Sequence, residues 1–355
     1  MAETINGLRK TELFRRGKRW RSLEEVEPAA PEWVSWRNER HPHEACGYAP
    51  PAEFEAAYYR GLEEASAASF QFGTLRDSQG GSDHMLSHWT QDDLLVNDVR
   101  LHYYRTGHGD KRPLVLVHGF SDNGLCWAPT ARDLEFEYDV IMPDMRAHGL
   151  SARVQATDKV DMAADLAALI RTLGLRRPIV GGHSMGAMIT FQIGVRFPEL
   201  ASALVLEDPP WWLSQPPQPH GQPTGEWAKE LGSKTLEDLL AQYRVGQPHW
   251  PEELVRLMAE SKRQLDPAII DTLVEKVNRV GSDWLTTIQD IAHPMLLLTA
   301  NPELGGIVTP EVVARVRQLN PRVTIVNVPD VGHLIRYDNY AAFMDALRAF
   351  LRHCT

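Results

Sequence analysis

From residue 94 to the C-terminus, short apolar runs alternate with longer stretches in which apolar residues recur every three or four positions, and Gly, Pro, Asn or Asp punctuates the joins. Short alternating or uninterrupted apolar runs read as strands, and the 3.6-residue repeat reads as helix. Strands are predicted at 94–99, 101–105, 114–118, 139–142, 179–182, 203–207, 295–299 and 323–328, and helices near 126–134, 159–173, 185–197, 310–318 and 340–351. The run Leu114-Val115-Leu116-Val117 has no polar face, which suits a strand covered on both sides. Strands and helices in alternation predict an α/β architecture, a mostly parallel eight-stranded sheet with flanking crossover helices.

Between 209 and 291 the rhythm changes. This block is rich in Pro, Gln and Trp at first and then has amphipathic repeats at 236–243 and 251–262, so it is expected to be a helical cap inserted into the sheet domain. The alternative is a helical decoration on the solvent side with no part in binding. The predicted core is then 85–208 with 292–355.

The chemistry begins with Gly182-His183-Ser184-Met185-Gly186, which directly follows the apolar Pro178-Ile179-Val180 and directly precedes the helical Ala187-Met188-Ile189. A strand that turns straight into a helix strains the residue at the corner, and flanking glycines remove the side chains that would clash there. Ser184 would therefore project from the turn as a nucleophile, at a helix start whose N–H groups favour developing negative charge. A second buried strand runs into His118-Gly119-Phe120. The backbone N–H groups of Phe120 and Met185 would together form an oxyanion hole. His118 itself reads as a structural support of that loop.

These segments, with Asp144-Met145-Arg146-Ala147-His148-Gly149-Leu150-Ser151 and Val331-Gly332-His333, occur in the order and at the separations of the α/β-hydrolase family, which the chain resembles over about 94–351. The resemblance implies a Ser, acid, His triad with the histidine last. Among 14 histidines it points to His333, after the final strand, as the general base. Two positions compete for the acid. Glu303, in Thr299-Ala300-Asn301-Pro302-Glu303 after the penultimate strand, occupies the usual place and is favoured; Asp208, at the end of the run 203–207, matches the alternative place used by some members, including fungal zearalenone lactonases.

The first 60 residues have a different character. Ala2-Glu3-Thr4-Ile5-Asn6-Gly7-Leu8, Trp20-Arg21-Ser22-Leu23-Glu24 and Cys46-Gly47-Tyr48-Ala49-Pro50-Pro51-Ala52-Glu53-Phe54-Glu55 resemble the tail of a DDE-type insertion-sequence transposase. Glu3 stands where that family keeps the last of three metal-binding carboxylates. Without the two upstream aspartates a two-metal site cannot be assembled. Residues 1–84 are accordingly expected to be a transposase remnant ending in a Ser/Gly linker at 78–83, and Met85 an ancestral start. The cluster Arg15, Arg16, Lys18, Arg19 and Arg21 reads as a solvated charge run.

Composition narrows the function further. A net charge of -10 argues against a nucleic-acid partner and fits a neutral small-molecule substrate. Three scattered cysteines suit neither a disulfide framework nor a zinc site, and the absence of a long apolar run or signal-peptide pattern points to a cytoplasmic protein off the membrane. No cofactor or metal is expected, since no ligand cluster or phosphate-cradling loop stands at a strand end. Trp127, Trp211 and Trp212 are candidate substrate contacts for an apolar group, with Trp227, Trp250 and Trp284 further along the cap. The expected activity is serine-dependent cleavage of a hydrophobic carboxylic ester, with lactone opening or carbon–carbon bond hydrolysis as alternatives on the same triad. A DNA-binding or interaction protein with a vestigial hydrolase part is the alternative of another class.

Overall fold

Eight strands form one sheet: β1 (Thr90–Val96), β2 (Val99–Arg105), β3 (Arg112–Val117), β4 (Tyr138–Pro143), β5 (Ile179–His183), β6 (Ala203–Glu207), β7 (Met295–Thr299) and β8 (Val323–Asn327). Their spatial order is β1-β2-β4-β3-β5-β6-β7-β8. β1 pairs with β2 and β2 with β4 antiparallel, and all later neighbours are parallel. The computed structural model describes residues 89–154, 159–213, 230–269 and 284–354. All of these fall in one of the two units into which the chain divides, His88–Thr355. The transposase-like segment, its linker and Trp227 lie outside the described residues.

Every predicted strand has a counterpart, and the first is displaced. The expected strand 94–99 instead begins at Thr90 and ends at Val96. Asn97 and Asp98, at φ 50° and 63°, form the two-residue corner of a β1–β2 hairpin. Two successive positive φ values match the right-handed twist of the paired strands, and Asn and Asp tolerate them better than most residues. Val96 and Val99 flank this corner, so apolar character alone ran through it.

The helices are α1 (Ala128–Leu134), α2 (Met162–Thr172), α3 (Met185–Arg196), α4 (Leu236–Gly246), α5 (Glu252–Arg263), α6 (Trp284–Thr287), α7 (Pro310–Leu319), α8 (Ile335–Asp338) and α9 (Tyr340–His353). Side-chain caps set several of their starts. Asp161 accepts from the Ala164 amide at α2, Thr309 caps α7 with Pro310 next in line, and Asn339 accepts from the Ala342 amide at α9. Thr235 and Asp238 make a reciprocal capping box at α4. The inner strands β3, β4, β5, β6 and β7 are mostly apolar, with Leu114, Val115, Ile141, Val180 and Leu206 fully buried, and the fully buried acids Asp139 of β4 and Glu207 of β6 are among the exceptions.

The helices α4 and α5, in the segment between β6 and β7 that the sequence assigns to a cap, pack closely on the rest of the described residues. Leu239, Leu240, Trp250, Leu254, Val255, Met258 and Ala259 form one buried cluster with Cys126 and Tyr337 of the sheet domain. Each large side chain buried there contributes about 1.5–3 kcal/mol. The Trp250 indole also donates to Asp338 Oδ1 at 2.9 Å. β3 lies between β4 and β5, so the chain reverses its direction of winding there, and loops after parallel strands gather at one end of the sheet beside this point.

Candidate active site

Ser184 stands where β5 meets α3, with φ 52° and ψ -113°. This backbone conformation is costly for any residue with a side chain and persists only where the surroundings over-determine it. They do so here. The Ser184 amide donates to the Glu207 carbonyl at 2.9 Å, and the Met188 amide closes the first helical bond to the Ser184 carbonyl at 3.1 Å. The motif glycines are needed for close approach: a Cβ at Gly182 would stand 2.3 Å from the Gly186 carbonyl, and one at Gly186 would stand 2.2 Å from the Val117 carbonyl oxygen. The same contact sets the start of α3 against the end of β3. The Met185 amide, at the first position of α3, has no intrahelical partner.

The loop that contains Phe120 is built as a tight turn. The Asp122 amide donates to the Gly119 carbonyl at 3.2 Å, and Ser121 takes φ 62°. His118 supports it as expected: its Nδ1 donates to the Gly119 carbonyl at 2.8 Å and its Nε2 accepts from the Met145 amide at 2.9 Å. Asp144, on the loop after β4, accepts from the amides of Gly124 at 2.6 Å and Leu150 at 2.7 Å. Burial pushes its carboxyl above the ordinary carboxylate range in spite of these donors.

His333 follows β8, and its Nδ1 donates to Asp208 Oδ2 at 2.6 Å. A proton fixed on Nδ1 leaves Nε2 of the neutral ring with its lone pair, the form a general base needs. Asp208 is itself held: Oδ2 accepts from the Ile307 amide at 2.9 Å and Oδ1 from the Val308 amide at 3.0 Å, while its own amide donates to the Leu298 carbonyl at 2.9 Å. Its φ is 42°, a second strained corner.

The favoured acid, Glu303, is therefore not the carboxylate that meets His333. It lies on a short 3-10 turn, Pro302–Leu304, with its side chain exposed and its amide capped by Asn301 Oδ1 at 2.9 Å. The reason is local. The loop after β7 approaches His333 through backbone, with the Asn301 amide on the Val331 carbonyl at 2.9 Å, and then sends its Ile307 and Val308 amides to Asp208. The position that matched Glu303 thus supplies hydrogen-bond donors to the acid at the end of β6 instead of a carboxylate of its own.

His183, next to Ser184 in the chain, packs against His333. Its Nε2 donates to the His333 carbonyl at 3.0 Å, and the two rings lie 4.6 Å apart. Burial, with Arg336 and His333 nearby, holds its pKa well below the ordinary histidine value, so it stays neutral. Of the three tryptophans expected to contact substrate, two are sealed in the core. Trp127 is 1% exposed, under the Arg336 guanidinium at 4.0 Å, and Trp211 is 1% exposed, stacked on Trp284 at 5.0 Å and edge-on to Phe191 at 5.0 Å. Trp212 is half-buried.

Sequence reasoning missed a buried charge network behind the site. Arg336 donates to Glu207 Oε2 at 2.8 Å through its side chain and to Oε1 at 2.9 Å through its amide. Lys262 of α5 donates to Asp122 Oδ1 at 2.7 Å and to the Ser121 carbonyl at 3.3 Å. Arg146 grips Asp165 with two bonds of 2.9 Å. The only signal in the sequence was charge at positions otherwise read as strand ends or helix faces, and charge alone does not announce burial. Among the described residues, no group of three or more His, Cys, Asp or Glu could hold a metal ion, and no helix is long and apolar enough to cross a membrane.

Comparison with known proteins fits this geometry. A family model described as the alpha/beta hydrolase fold matches residues 112–340. The chain is 29% identical over 272 residues to N-formylmaleamate deformylase of Pseudomonas putida, covering 73% of this chain and 96% of the relative. The crystal structure of E-2-(acetamidomethylene)succinate hydrolase superposes with a TM-score of 0.61 at 22% identity, covering 75% of this chain and all of that one. The transposase resemblance also has a counterpart: 59 residues, 17% of this chain and 21% of the relative, are 59% identical to a putative transposase for insertion sequence element IS986/IS6110 of Mycobacterium tuberculosis.

Proposed function

Since the chain belongs to the α/β-hydrolase family, we propose that it is a serine hydrolase that cleaves a neutral carboxylic ester through an acyl-enzyme, with Ser184, His333 and Asp208 as its triad. The observation that carries the reading is the 2.6 Å bond from His333 to a fully buried Asp208, on the sheet end where Ser184 is strained out of the strand. Ser184 Oγ attacks the ester carbonyl carbon while His333 Nε2 takes its proton, and the negative charge that develops on the carbonyl oxygen is met by the Phe120 and Met185 amides. Asp208 stabilises the resulting imidazolium without itself taking the proton. His333 then gives that proton to the departing alkoxide. Water attacks the acyl-enzyme with the same base, and expulsion of Ser184 Oγ, reprotonated by His333, completes the cycle.

A neutral substrate is favoured because the buried cations of the described residues are already paired: Arg146 with Asp165, Lys262 with Asp122, Arg336 with Glu207. None is left to bind a substrate carboxylate without breaking a buried ion pair, which is expensive. Trp212, the least buried of the three indoles, is the proposed apolar contact. A lactone presents the same acyl chemistry to the same groups. Likeness to a deformylase favours a second reading, cleavage of a formyl amide, since only the leaving group differs. A reducing, cytoplasmic setting fits the free thiols of Cys126 and Cys354.

The test is a panel of p-nitrophenyl acetate and butyrate, neutral lactones, a carboxylate-bearing ester and an N-formyl amide, each assayed with the wild type and with Ser184→Ala. Turnover of neutral esters, abolished in the variant, is expected. A preference for the carboxylate-bearing ester would contradict the assigned substrate class, and turnover surviving in Ser184→Ala would contradict the mechanism.

A further inference from the structure

We propose that Lys262, carried on the cap, is a positioning residue for the oxyanion hole, fixing the turn that presents the Phe120 amide; this rests on the serine-hydrolase reading above. The ammonium reaches this turn from the last turn of α5, with its side chain 10% exposed and that of its partner Asp122 3% exposed. It binds the turn twice, at Asp122 Oδ1 (2.7 Å) and at the Ser121 carbonyl (3.3 Å), so it holds both residues that follow Phe120.

Two features make this turn dependent on an outside anchor. Ser121 sits at φ 62°, a conformation that a serine does not keep unless its neighbours enforce it. Asp122 is a buried carboxylate whose other contacts are weak, with the Tyr337 hydroxyl at 3.4 Å and an Arg336 nitrogen at 3.8 Å from Oδ2. Lys262 is its close cation. Without it, Asp122 would be left buried without close compensation and would protonate or turn outward, and either change loosens the turn. The neighbouring cap residues act on the same loops: Asn123 Nδ2 donates to Gln264 Oε1 at 2.8 Å, the Asp266 amide to the Ala147 carbonyl at 2.8 Å, and the Val154 amide to Asp266 Oδ2 at 2.9 Å. The cap therefore does more than cover the site, because its 262–266 segment grips the loops after β3 and β4.

A second cap–core ion pair provides the contrast. Glu253, in the first turn of α5, meets Arg132 of α1, nine residues and about 13 Å along the helix from Lys262. If α5 merely needs fastening, Glu253→Gln and Lys262→Met act alike. If Lys262 positions the oxyanion turn, only Lys262→Met touches the chemistry.

The experiment compares wild type, Lys262→Met, Glu253→Gln and the double variant Lys262→Met/Asp122→Asn, all as full chains, with p-nitrophenyl acetate as substrate and an aryl trifluoromethyl ketone as inhibitor. The ketone forms a tetrahedral adduct whose oxygen occupies the oxyanion hole. Lys262→Met is expected to lower kcat about 10- to 100-fold, short of or equal to the loss of one oxyanion donor, and to weaken the ketone by a similar factor; Glu253→Gln is expected to stay within about twofold on both. The double variant removes the stranded carboxylate, and is expected to show the same losses if the single variant does not fold. Lys262→Met or the double variant with kcat and ketone affinity within about twofold of wild type would overturn the proposal, as would a rise in KM alone. Amide hydrogen exchange of residues 119–123 separates this proposal from the hydrolase reading, because it needs no turnover. Faster exchange in the variant supports the anchoring role, and unchanged exchange overturns it even in a protein that cleaves no ester.

Discussion

At the scale of single residues, the decisive pair is Asp208 and Glu303. Both were visible in the sequence as acids after late strands, and nothing in one dimension could separate them, because the distinction lies in which loop turns a carboxylate inward and which turns amides. Asp208 accepts two amides and the His333 ring; Glu303 points to solvent. Asp208→Asn is expected to lower kcat by about 10³–10⁴, since the amide presents the wrong partner to Nδ1–H, while Glu303→Gln stays within about twofold. Steady-state ester kinetics decide this, and equal losses in both variants would sink the assignment. Buried histidines leave a different mark. His148 donates its Nδ1 proton to the Arg146 carbonyl at 2.9 Å, and burial pushes its pKa down to about 3. The unfolded chain, with an ordinary value near 6.5, takes up the proton first as pH falls. Its stabilising contribution is therefore complete above about pH 6.5 and drains as the pH falls toward 3. Urea unfolding of wild type and His148→Asn is expected to show the stability difference between them shrinking by about 1.4 kcal/mol per pH unit between about pH 6 and 4. A difference that stays constant over that range would show that His148 is not held neutral by the fold.

Elements were more legible than residues. Buried parallel strands announce themselves because they need no polar face, and the turn after β5 was readable because a strand, a corner and a helix each left their own composition. The β1–β2 corner was not, since its Asn and Asp lie between apolar neighbours and the required positive φ values are set by strand pairing. Trp127 and Trp211 misled for a related reason: a large indole serves a core as well as it serves a pocket, and exposure is decided only once helices pack. Lys262 was unreadable because its partner is 140 positions away. The elbow glycines carry the firmest expectation at this scale. Gly186→Ala drives a methyl group into the carbonyls of Val117, the last residue of strand β3, and His118, the next one. Thermal melting is expected to show a loss of about 2–3 kcal/mol, accompanied by a fall in ester turnover of more than about tenfold as that strand shifts. A variant as stable and active as wild type would mean that α3 does not press on β3 in solution.

For the molecule as a whole, sheet, cap and charge tell one story. The cap cluster around Trp250 and Tyr337 seals α4 and α5 onto the sheet domain. The close ion pairs Lys262–Asp122 and Arg336–Glu207 tie α5 to the turn after β3 and α8 to the end of β6. Among the described residues, the buried acids Asp139, Asp165, Asp122 and Glu207 are matched by Arg105, Arg146, Lys262 and Arg336, while Asp144 and Asp208 are held by backbone amides. The proposed function requires one activated hydroxyl, that of Ser184. Incubation with a fluorophosphonate, followed by intact-mass and peptide mass spectrometry, tests it without knowledge of the natural substrate. A single adduct on the peptide containing Ser184, absent in Ser184→Ala and formed far more slowly in Asp208→Asn, is the expected result; a protein that stays unlabelled, or carries its label on another residue, would contradict the account.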